Sequence, residues 1–201
     1  MNFGTLRVFN DDYIDGESGF GSHSHDNMEI VTIVHQGVLT HQDSMDNTGT
    51  IQAGEVQYMS AGAGVTHAEL NQGTEPIHLY QIWIFPDQQN LPLKYEQKDF
   101  SSAAPNILVP VASGQNLAGA LAIRSNATIY TANLEAGQTV RYTLGEDRGL
   151  FVYLQAGGLE INGTKFTTED QARITDESDV LLKATEPTQL IAIDVLLQLP
   201  F

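Results

Sequence analysis

The stretch GFGSHSHDNMEIVTIVHQG, residues 19–37, decides the fold because it joins a pattern of metal ligands to a pattern of strand residues. His23 and His25 are one residue apart, so on a β-strand both side chains point to the same face, about 6.5–7 Å apart. Two imidazoles at that spacing can reach one ion, at about 2.1 Å from each nitrogen. The run EIVTIV that follows is rich in β-branched residues and predicts a strand. This stretch alone leaves two interpretations open, a metal site and a strand that happens to carry histidines.

Strand patterns continue through the rest of the chain, and long amphipathic helical periods are missing. Runs rich in β-branched and aromatic residues recur at 55–61, 77–85, 126–134, 149–155 and 179–184. Clusters of glycine, asparagine and aspartate separate them, and the pair Asn162-Gly163 predicts a tight hairpin turn. The sequence therefore predicts an all-β protein.

The two halves of the chain follow a similar order of strand, glycine, strand, turn and short strand, which predicts two small barrels in tandem. The join lies in the polar segment 91–106, where positive charge returns. We predict barrels at residues 1–95 and 107–201 with a linker at 96–106. All six histidines lie in the first half, so we expect metal chemistry in the N-terminal barrel and a degenerate C-terminal one.

The charge distribution excludes several classes of partner. The net charge is −16, and residues 8–93 contain twelve aspartates and glutamates but no lysine or arginine. Such a surface repels phosphate backbones and anionic membranes, so we expect no direct nucleic-acid binding and no membrane binding. No apolar run approaches the ~20 residues that span a bilayer, and the N-terminus lacks a signal-peptide pattern, so a cytoplasmic location is expected. The absence of cysteine excludes disulfides and thiolate metal sites.

A second metal-ligand pattern follows a glycine-rich turn in AGAGVTHAEL, residues 61–70. His67 and Glu69 are again one residue apart and share a face if the segment is a strand. Together with His23 and His25 they make a cluster of three histidines and one carboxylate. Such a cluster binds a divalent first-row ion and leaves coordination positions open for a substrate or oxygen. The two same-face pairs therefore favour a metal site over an accidental arrangement of histidines.

The two patterns resemble the motifs of the cupin superfamily. His23 and His25 fill the H-x-H of the first cupin motif, and Glu29 follows after three residues. The end of the second motif is matched at residues 64–67, although Gly62 stands where a proline is usual. Fold and function expectations can therefore be taken from this superfamily as well as from spacing.

The chain is more closely similar to the bacterial pirin-like bicupins. The segments RVFNDDYI (7–14), HQDSMDNTG (41–49) and AGEVQYMSAGAGVTHAE (53–69) carry this likeness, which covers most of residues 5–86. Pirin-like chains usually have a further stretch ahead of the segment matching 7–14, with which this chain almost begins, so we expect an effect on barrel closure and pocket shape. The resemblance implies two tandem jelly-roll cupin barrels, of which only the N-terminal one binds metal.

The resemblance also implies the ligands of a single divalent ion. In pirins these are both histidines of H-x-H, the later histidine, and the glutamate two residues beyond it. The matching residues here are His23, His25, His67 and Glu69. We expect Fe(II), and the same donors also accept Mn, Co, Ni, Cu or Zn. Glu29 is a ligand in many cupins, but we favour Glu69 and expect Glu29 to be a buried polar neighbour or a hydrogen-bond partner of a ligand.

Three functions follow from the likeness to pirins. The first is a metal-dependent quercetin 2,3-dioxygenase, which cleaves the ring of a flavonol-like aromatic substrate with O2. Glu69 is then the catalytic base that accepts the proton of the flavonol 3-hydroxyl, and the products are carbon monoxide and a depside. The second is a non-enzymatic regulator that binds a protein partner in a metal-dependent way. The third is a small-molecule-binding cupin whose metal is structural.

The remaining histidines are expected to have no role in metal binding. We predict that His35, His41 and His78 are histidines of strand surfaces, and that alanine at His35 or His41 leaves metal affinity unchanged. Strand aromatics such as Tyr58 and Trp83 are expected in the barrel cores, where inward-facing members can line an apolar pocket.

Overall fold

The computed structural model describes residues 2–201, which form nineteen β-strands and no helix. The predicted all-β fold is therefore confirmed. Within the described residues no helix is long and apolar enough to cross a membrane. The strands form four sheets that pair into two jelly-roll barrels, one from each half of the chain.

The N-terminal barrel is built from the first nine strands. Their bounds are β1 (Leu6–Ile14), β2 (Ser18–His25), β3 (Glu29–Gln36), β4 (Val38–Asp43), β5 (Thr48–Gln52), β6 (Glu55–Ser60), β7 (Val65–Asn71), β8 (Ile77–Ile84) and β9 (Lys94–Asp99). Sheet I has the order β1-β8-β3-β6-β9, and sheet II, which faces it, has the order β2-β7-β4-β5. The strand β9 pairs with β6, so the first residues of the segment predicted as a linker belong to sheet I.

The C-terminal barrel repeats this arrangement with ten strands. Their bounds are β10 (Val109–Ser113), β11 (Leu121–Ala122), β12 (Ala127–Leu134), β13 (Thr139–Thr143), β14 (Arg148–Ala156), β15 (Gly158–Ile161), β16 (Thr164–Thr167), β17 (Gln171–Ile174), β18 (Asp179–Ala184) and β19 (Thr188–Leu196). Sheet III has the order β11-β10-β12-β19-β14-β17, and sheet IV has the order β13-β18-β15-β16. Asn162 and Gly163 join β15 to β16 with φ of 45° and 86°, which confirms the predicted hairpin turn.

Sheets I and III pack against each other and bury one apolar core between the two barrels. Alternation along the strands explains this packing, because residues of one parity face the barrel interior and those of the other parity face the second barrel. The inter-barrel core is formed by residues such as Val31, Ile33, Val56, Tyr80, Ile82, Ile129, Phe151, Ile191 and Ile193. Neither half of the chain keeps this core covered without the other.

Glu29 lies on the inter-barrel face of β3 and points away from the interior of its own barrel. It is 1% exposed. Its carboxylate accepts hydrogen bonds from the Tyr58 hydroxyl, from the Ser60 hydroxyl at 2.6 Å and from the backbone N–H of Arg124 at 2.9 Å. Asn27, with a φ of 45°, interrupts the chain between β2 and β3. The parity of the histidine pair therefore does not carry over to Glu29, which ties the two barrels together.

Replacing Glu29 with alanine is expected to lower the free energy of unfolding by about 3 kcal/mol or more, because each buried donor left unpaired costs about 1–3 kcal/mol. Glu29→Gln keeps one acceptor oxygen and should cost less. Urea unfolding measures both effects. Metal affinity should be unchanged in both variants, and a loss as large as that of His25→Ala would show that Glu29 acts at the metal site instead.

Candidate metal centre

Three neighbouring strands of sheet II bring the histidines of the N-terminal barrel together. His23 on β2 lies directly opposite His67 on β7, and His67 lies opposite Asp43 on β4. One row further, Glu69 lies opposite His41. Directly opposed residues point to the same face with Cβ atoms about 4.5–5.5 Å apart. All five side chains therefore face the interior of the barrel.

A β-bulge in β2 sets the register that makes this alignment. Phe20 lies opposite Glu69 and His23 opposite His67, so β2 uses three residues where β7 uses two. Gly19 allows the close approach of these strands, because a Cβ there would lie 2.4 Å from the carbonyl oxygen of Glu69. Bulges are frequent next to active sites, where they re-aim a side chain.

The imidazoles of His23, His25 and His67 converge on one region. Their ring centroids are 4.8 Å apart for His23 and His25, 4.4 Å for His23 and His67, and 5.1 Å for His25 and His67. One nitrogen from each ring lies within 4.8 Å of the others. Donor atoms of His41, His67 and Glu69 form a second group within the same limit. All four predicted ligands thus lie in one cluster, while their assignment as ligands stays a prediction.

Several donor atoms of this cluster are buried without a hydrogen-bond partner among residues 2–201. They are Nε2 of His25, both ring nitrogens of His67 and Oε1 of Glu69. His23 differs, because its Nδ1 lies 2.8 Å from the carbonyl oxygen of Gly21. An N–H donated from Nδ1 leaves the Nε2 lone pair free, which is the usual state of a metal-binding histidine. Buried donors normally have partners, so this set fits a bound cation.

Burial keeps these imidazoles in the neutral form that binds metals. Burial, followed by the neighbouring charges of His23, His25 and His41, lowers the pKa of His67 to about 3. Burial and then His23 lower the pKa of His25. For Glu69, which is 1% exposed, burial raises the pKa and the hydrogen bond from Gln81 acts in the opposite direction. A nearby cation would favour the carboxylate over the neutral acid.

Gln81 connects Glu69 to the facing sheet. Its amide nitrogen donates to Oε2 of Glu69 at 2.7 Å, and its amide oxygen accepts from the indole N–H of Trp83 at 2.9 Å. This chain holds Oε2 of Glu69 in place and leaves Oε1 unpartnered within residues 2–201. Gln81 carried no motif in the sequence, and only its parity on β8 could have indicated an inward-facing polar side chain.

Replacing Gln81 with leucine removes the donor to Glu69 at nearly constant volume. We expect metal affinity to fall about 10–100-fold, the usual cost of losing a group that orients a ligand. Competition titration against a chromophoric chelator measures the change. Gln97→Leu on the edge strand β9 is the matched control and should bind metal like the parent. Unchanged affinity in Gln81→Leu would show that Glu69 does not depend on this hydrogen bond.

The predictions for the other histidines are correct only in part. His35 is exposed, as expected. His41 is 0% exposed and its ring centroid lies 5.4 Å from that of His67, so its prediction as a surface residue is wrong. His78 is also buried, and its Nε2 lies 2.6 Å from Oδ1 of Asp11. The sequence analysis missed both because it had no way to tell which strands cover them.

An apolar cluster adjoins the histidines inside the barrel. Trp83 meets His25 edge to face, with ring centroids 4.7 Å apart. The cluster combines buried and partly buried side chains: Met28, Ile30, Met45, Met59, Ala61, Val65, Trp83 and Leu93. Methionines adapt their shape to neighbouring groups, and tryptophan offers a flat aromatic face. The surroundings of the donors therefore suit an aromatic ligand.

Comparisons with known proteins agree with this arrangement over nearly the whole chain. Residues 1–84 match the Pirin family model, and residues 110–195 match the model of the quercetinase C-terminal cupin domain. The chain is 41% identical to a pirin-like protein of Caulobacter vibrioides over 96% of this chain and 84% of that protein. It is 36% identical to a quercetin 2,3-dioxygenase of Escherichia coli K12, covering 97% of this chain and 84% of the relative.

A solved structure shares the same architecture. The bacterial pirin YhhW from Escherichia coli in complex with nickel(II) superposes with a TM-score of 0.92 at 36% identity, covering 98% of this chain and 84% of that one. Both the match to the family model and the full-length relatives rest on the two barrels and on the segments that carry the histidines. The chain therefore belongs to the pirin family.

Proposed function

We propose that the chain is a metal-dependent dioxygenase of the pirin type that cleaves the ring of quercetin-like flavonols with O2. The observation that carries this proposal is the convergence of unpartnered donors from His23, His25 and His67 beside the buried carboxylate of Glu69. Relatives named quercetin 2,3-dioxygenase, at 36% identity, support the reaction class. The nickel complex of YhhW supports a divalent ion.

The proposed ligands are His23, His25, His67 and Glu69. Fe(II) is the ion we assign, and Mn, Co, Ni, Cu and Zn suit the same mixture of imidazole and carboxylate. Once bound, the ion supplies Lewis-acid activation of the substrate hydroxyl and a site for O2.

Glu69 is proposed as the base. Its Oε2 accepts the hydrogen bond from Gln81, which leaves Oε1 to accept the proton of the flavonol 3-hydroxyl. The buried position of Glu69 excludes water from competing for that proton. Trp83 and the neighbouring methionines are proposed to bind the flat rings of the substrate.

The surface charge limits the other partners. With no lysine or arginine in residues 8–93, we expect no direct contact with nucleic acid by the N-terminal barrel. A protein partner and a location in the cytoplasm stay predictions.

Oxygen uptake with quercetin tests the proposal. The metal-loaded chain is expected to consume O2 and release carbon monoxide, and a chelator-treated sample is expected to do neither. A chain that is fully loaded with Fe(II), Mn(II) or Ni(II) and consumes no O2 with any flavonol would contradict the enzyme assignment. The non-enzymatic, metal-dependent regulator would then be the better explanation of the site.

A further inference from the structure

We propose that the ion can occupy two adjacent and mutually exclusive positions that share His67. The three-histidine position is formed by His23, His25 and His67, and the histidine–carboxylate position by His41, His67 and Glu69. The proposal rests on the metal binding argued above and adds His41, which lies outside the proposed ligand set.

His41 is oriented as a ligand by its neighbour Asp43. Its Nε2 lies 3.3 Å from Oδ2 of Asp43, so Nε2–H donates to the carboxylate and the lone pair is on Nδ1. That Nδ1 is buried and has no partner within residues 2–201. A carboxylate that accepts the second N–H of a histidine is the usual arrangement behind a metal-bound imidazole.

The carboxylate of Asp43 is itself held rigidly in a turn. Its Oδ1 accepts from the backbone N–H groups of Met45 at 2.8 Å and Asn47 at 3.0 Å, and its Oδ2 accepts from the Asn47 amide at 2.8 Å. These bonds position the acceptor before any ion binds. The free lone pair of His41 is therefore preorganised, and its direction is not a matter of a mobile side chain.

The chemistry of His67 explains why the two positions exclude each other. Both of its ring nitrogens are buried without a partner in the described chain, and its ring lies 4.4 Å from that of His23 and 5.4 Å from that of His41. A neutral imidazole carries one lone pair, on one nitrogen or the other. Each tautomer can therefore bind one ion, and the stoichiometry stays at one ion per chain.

The interior near the histidine–carboxylate position contains further polar atoms. Gln57, Thr32 and Gln81 are consecutive cross-strand neighbours in sheet I, and the bond from Gln81 to Glu69 shows that this row faces Glu69. Both amide atoms of Gln57 and the hydroxyl of Thr32 are buried and unpartnered within residues 2–201. Two protein oxygens are thus available on the far side of Glu69, where a harder cation prefers oxygen to nitrogen.

The donor types predict which ion chooses which position. Two histidines and one carboxylate suit Fe(II) and the harder Mn(II), whereas three imidazoles suit Ni(II). We therefore expect Mn(II) to bind mainly at the histidine–carboxylate position and Ni(II) mainly at the three-histidine position.

Affinities of the full chain for Mn(II) and Ni(II), measured in two variants, test this assignment. His41→Leu removes a donor at similar volume and is expected to lower Mn(II) affinity at least about tenfold while Ni(II) affinity changes little. His23→Leu is expected to do the reverse. The exposed His35→Leu is the matched control and should leave both affinities unchanged, and thermal unfolding of each apoprotein checks the fold.

X-ray absorption of the unmodified chain gives an independent result if a variant fails to fold. The Mn(II) form is expected to show two imidazole ligands and a carboxylate, and the Ni(II) form three imidazoles. Equal losses for both ions in His41→Leu, or no loss for either, would overturn the two-position proposal and leave the proposed dioxygenase intact. A parent chain that binds neither ion would overturn both.

Discussion

His67→Ala is expected to abolish specific metal binding. His67 is the one histidine that belongs to both groups of donor atoms, so its loss leaves no complete set of three. Because loss of an orienting neighbour alone costs about 10–100-fold in affinity, removal of the shared ligand should cost more than about 100-fold. Metal content after dialysis, determined by elemental analysis, measures the effect. His35→Ala is the control, because His35 is exposed and lies outside both groups.

Thermal unfolding should report the same loss independently of metal analysis. An ion that binds only the folded state stabilises it by about 2.7 kcal/mol at a concentration of 100 times its Kd. The parent chain should therefore unfold at higher temperature when metal is added, and His67→Ala should not. The apo form of the variant is expected to be no less stable than the apo parent, because the substitution removes two unpartnered buried nitrogens. Metal retained by His67→Ala at the parent's level would show that the ion binds elsewhere.

Glu69→Gln is expected to lower turnover of a flavonol about 10²–10⁴-fold, the usual contribution of a general base. The substitution keeps the size of the side chain and removes its charge, so binding of the flavonol should change far less than turnover. The comparison needs equal metal occupancy, because Glu69 is also a proposed ligand. Single-turnover measurements of O2 consumption, with occupancy fixed by elemental analysis, separate the two effects.

A carboxylate elsewhere in the barrel provides the control for this variant. Glu55→Gln alters a residue at the start of β6 whose carboxylate accepts hydrogen bonds from the backbone of Gln52 at 2.6 Å and from Gln97 at 2.9 Å. It should leave turnover unchanged. Equal turnover in Glu69→Gln and the parent, at equal metal loading, would show that another group accepts the proton. The dioxygenase proposal itself would survive that result.

These predictions all depend on a barrel whose two sheets are each incomplete as a site. Sheet II supplies the histidines and Glu69, and sheet I supplies Gln81 and Trp83, which hold Glu69 and flank His25. Sheet I is in turn packed against the second barrel through a shared core. A substitution in the C-terminal half, such as one at Phe151, can therefore alter the metal site by moving sheet I, although that half contains no histidine.

The sequence by itself determined the all-β fold, the tandem barrels and the four residues of the two spaced pairs. The reason is that alternation is a local rule: residues two apart on a strand share a face whatever surrounds the strand. The pairs His23 and His25, and His67 and Glu69, could be identified by this rule, and so could the hairpin at Asn162-Gly163. The resemblance to pirins then indicated that the two pairs act together.

Only the tertiary structure decided which strands are neighbours and which way each sheet faces. Pairing of β4 with β7 places His41 in the cluster, and no local pattern around His41 indicates that partner. The break at Asn27 turns Glu29 towards the second barrel, against the parity of a continuous strand. Strand order and register are set by packing between segments far apart in the chain, so the surroundings of a residue cannot be derived from its own spacing.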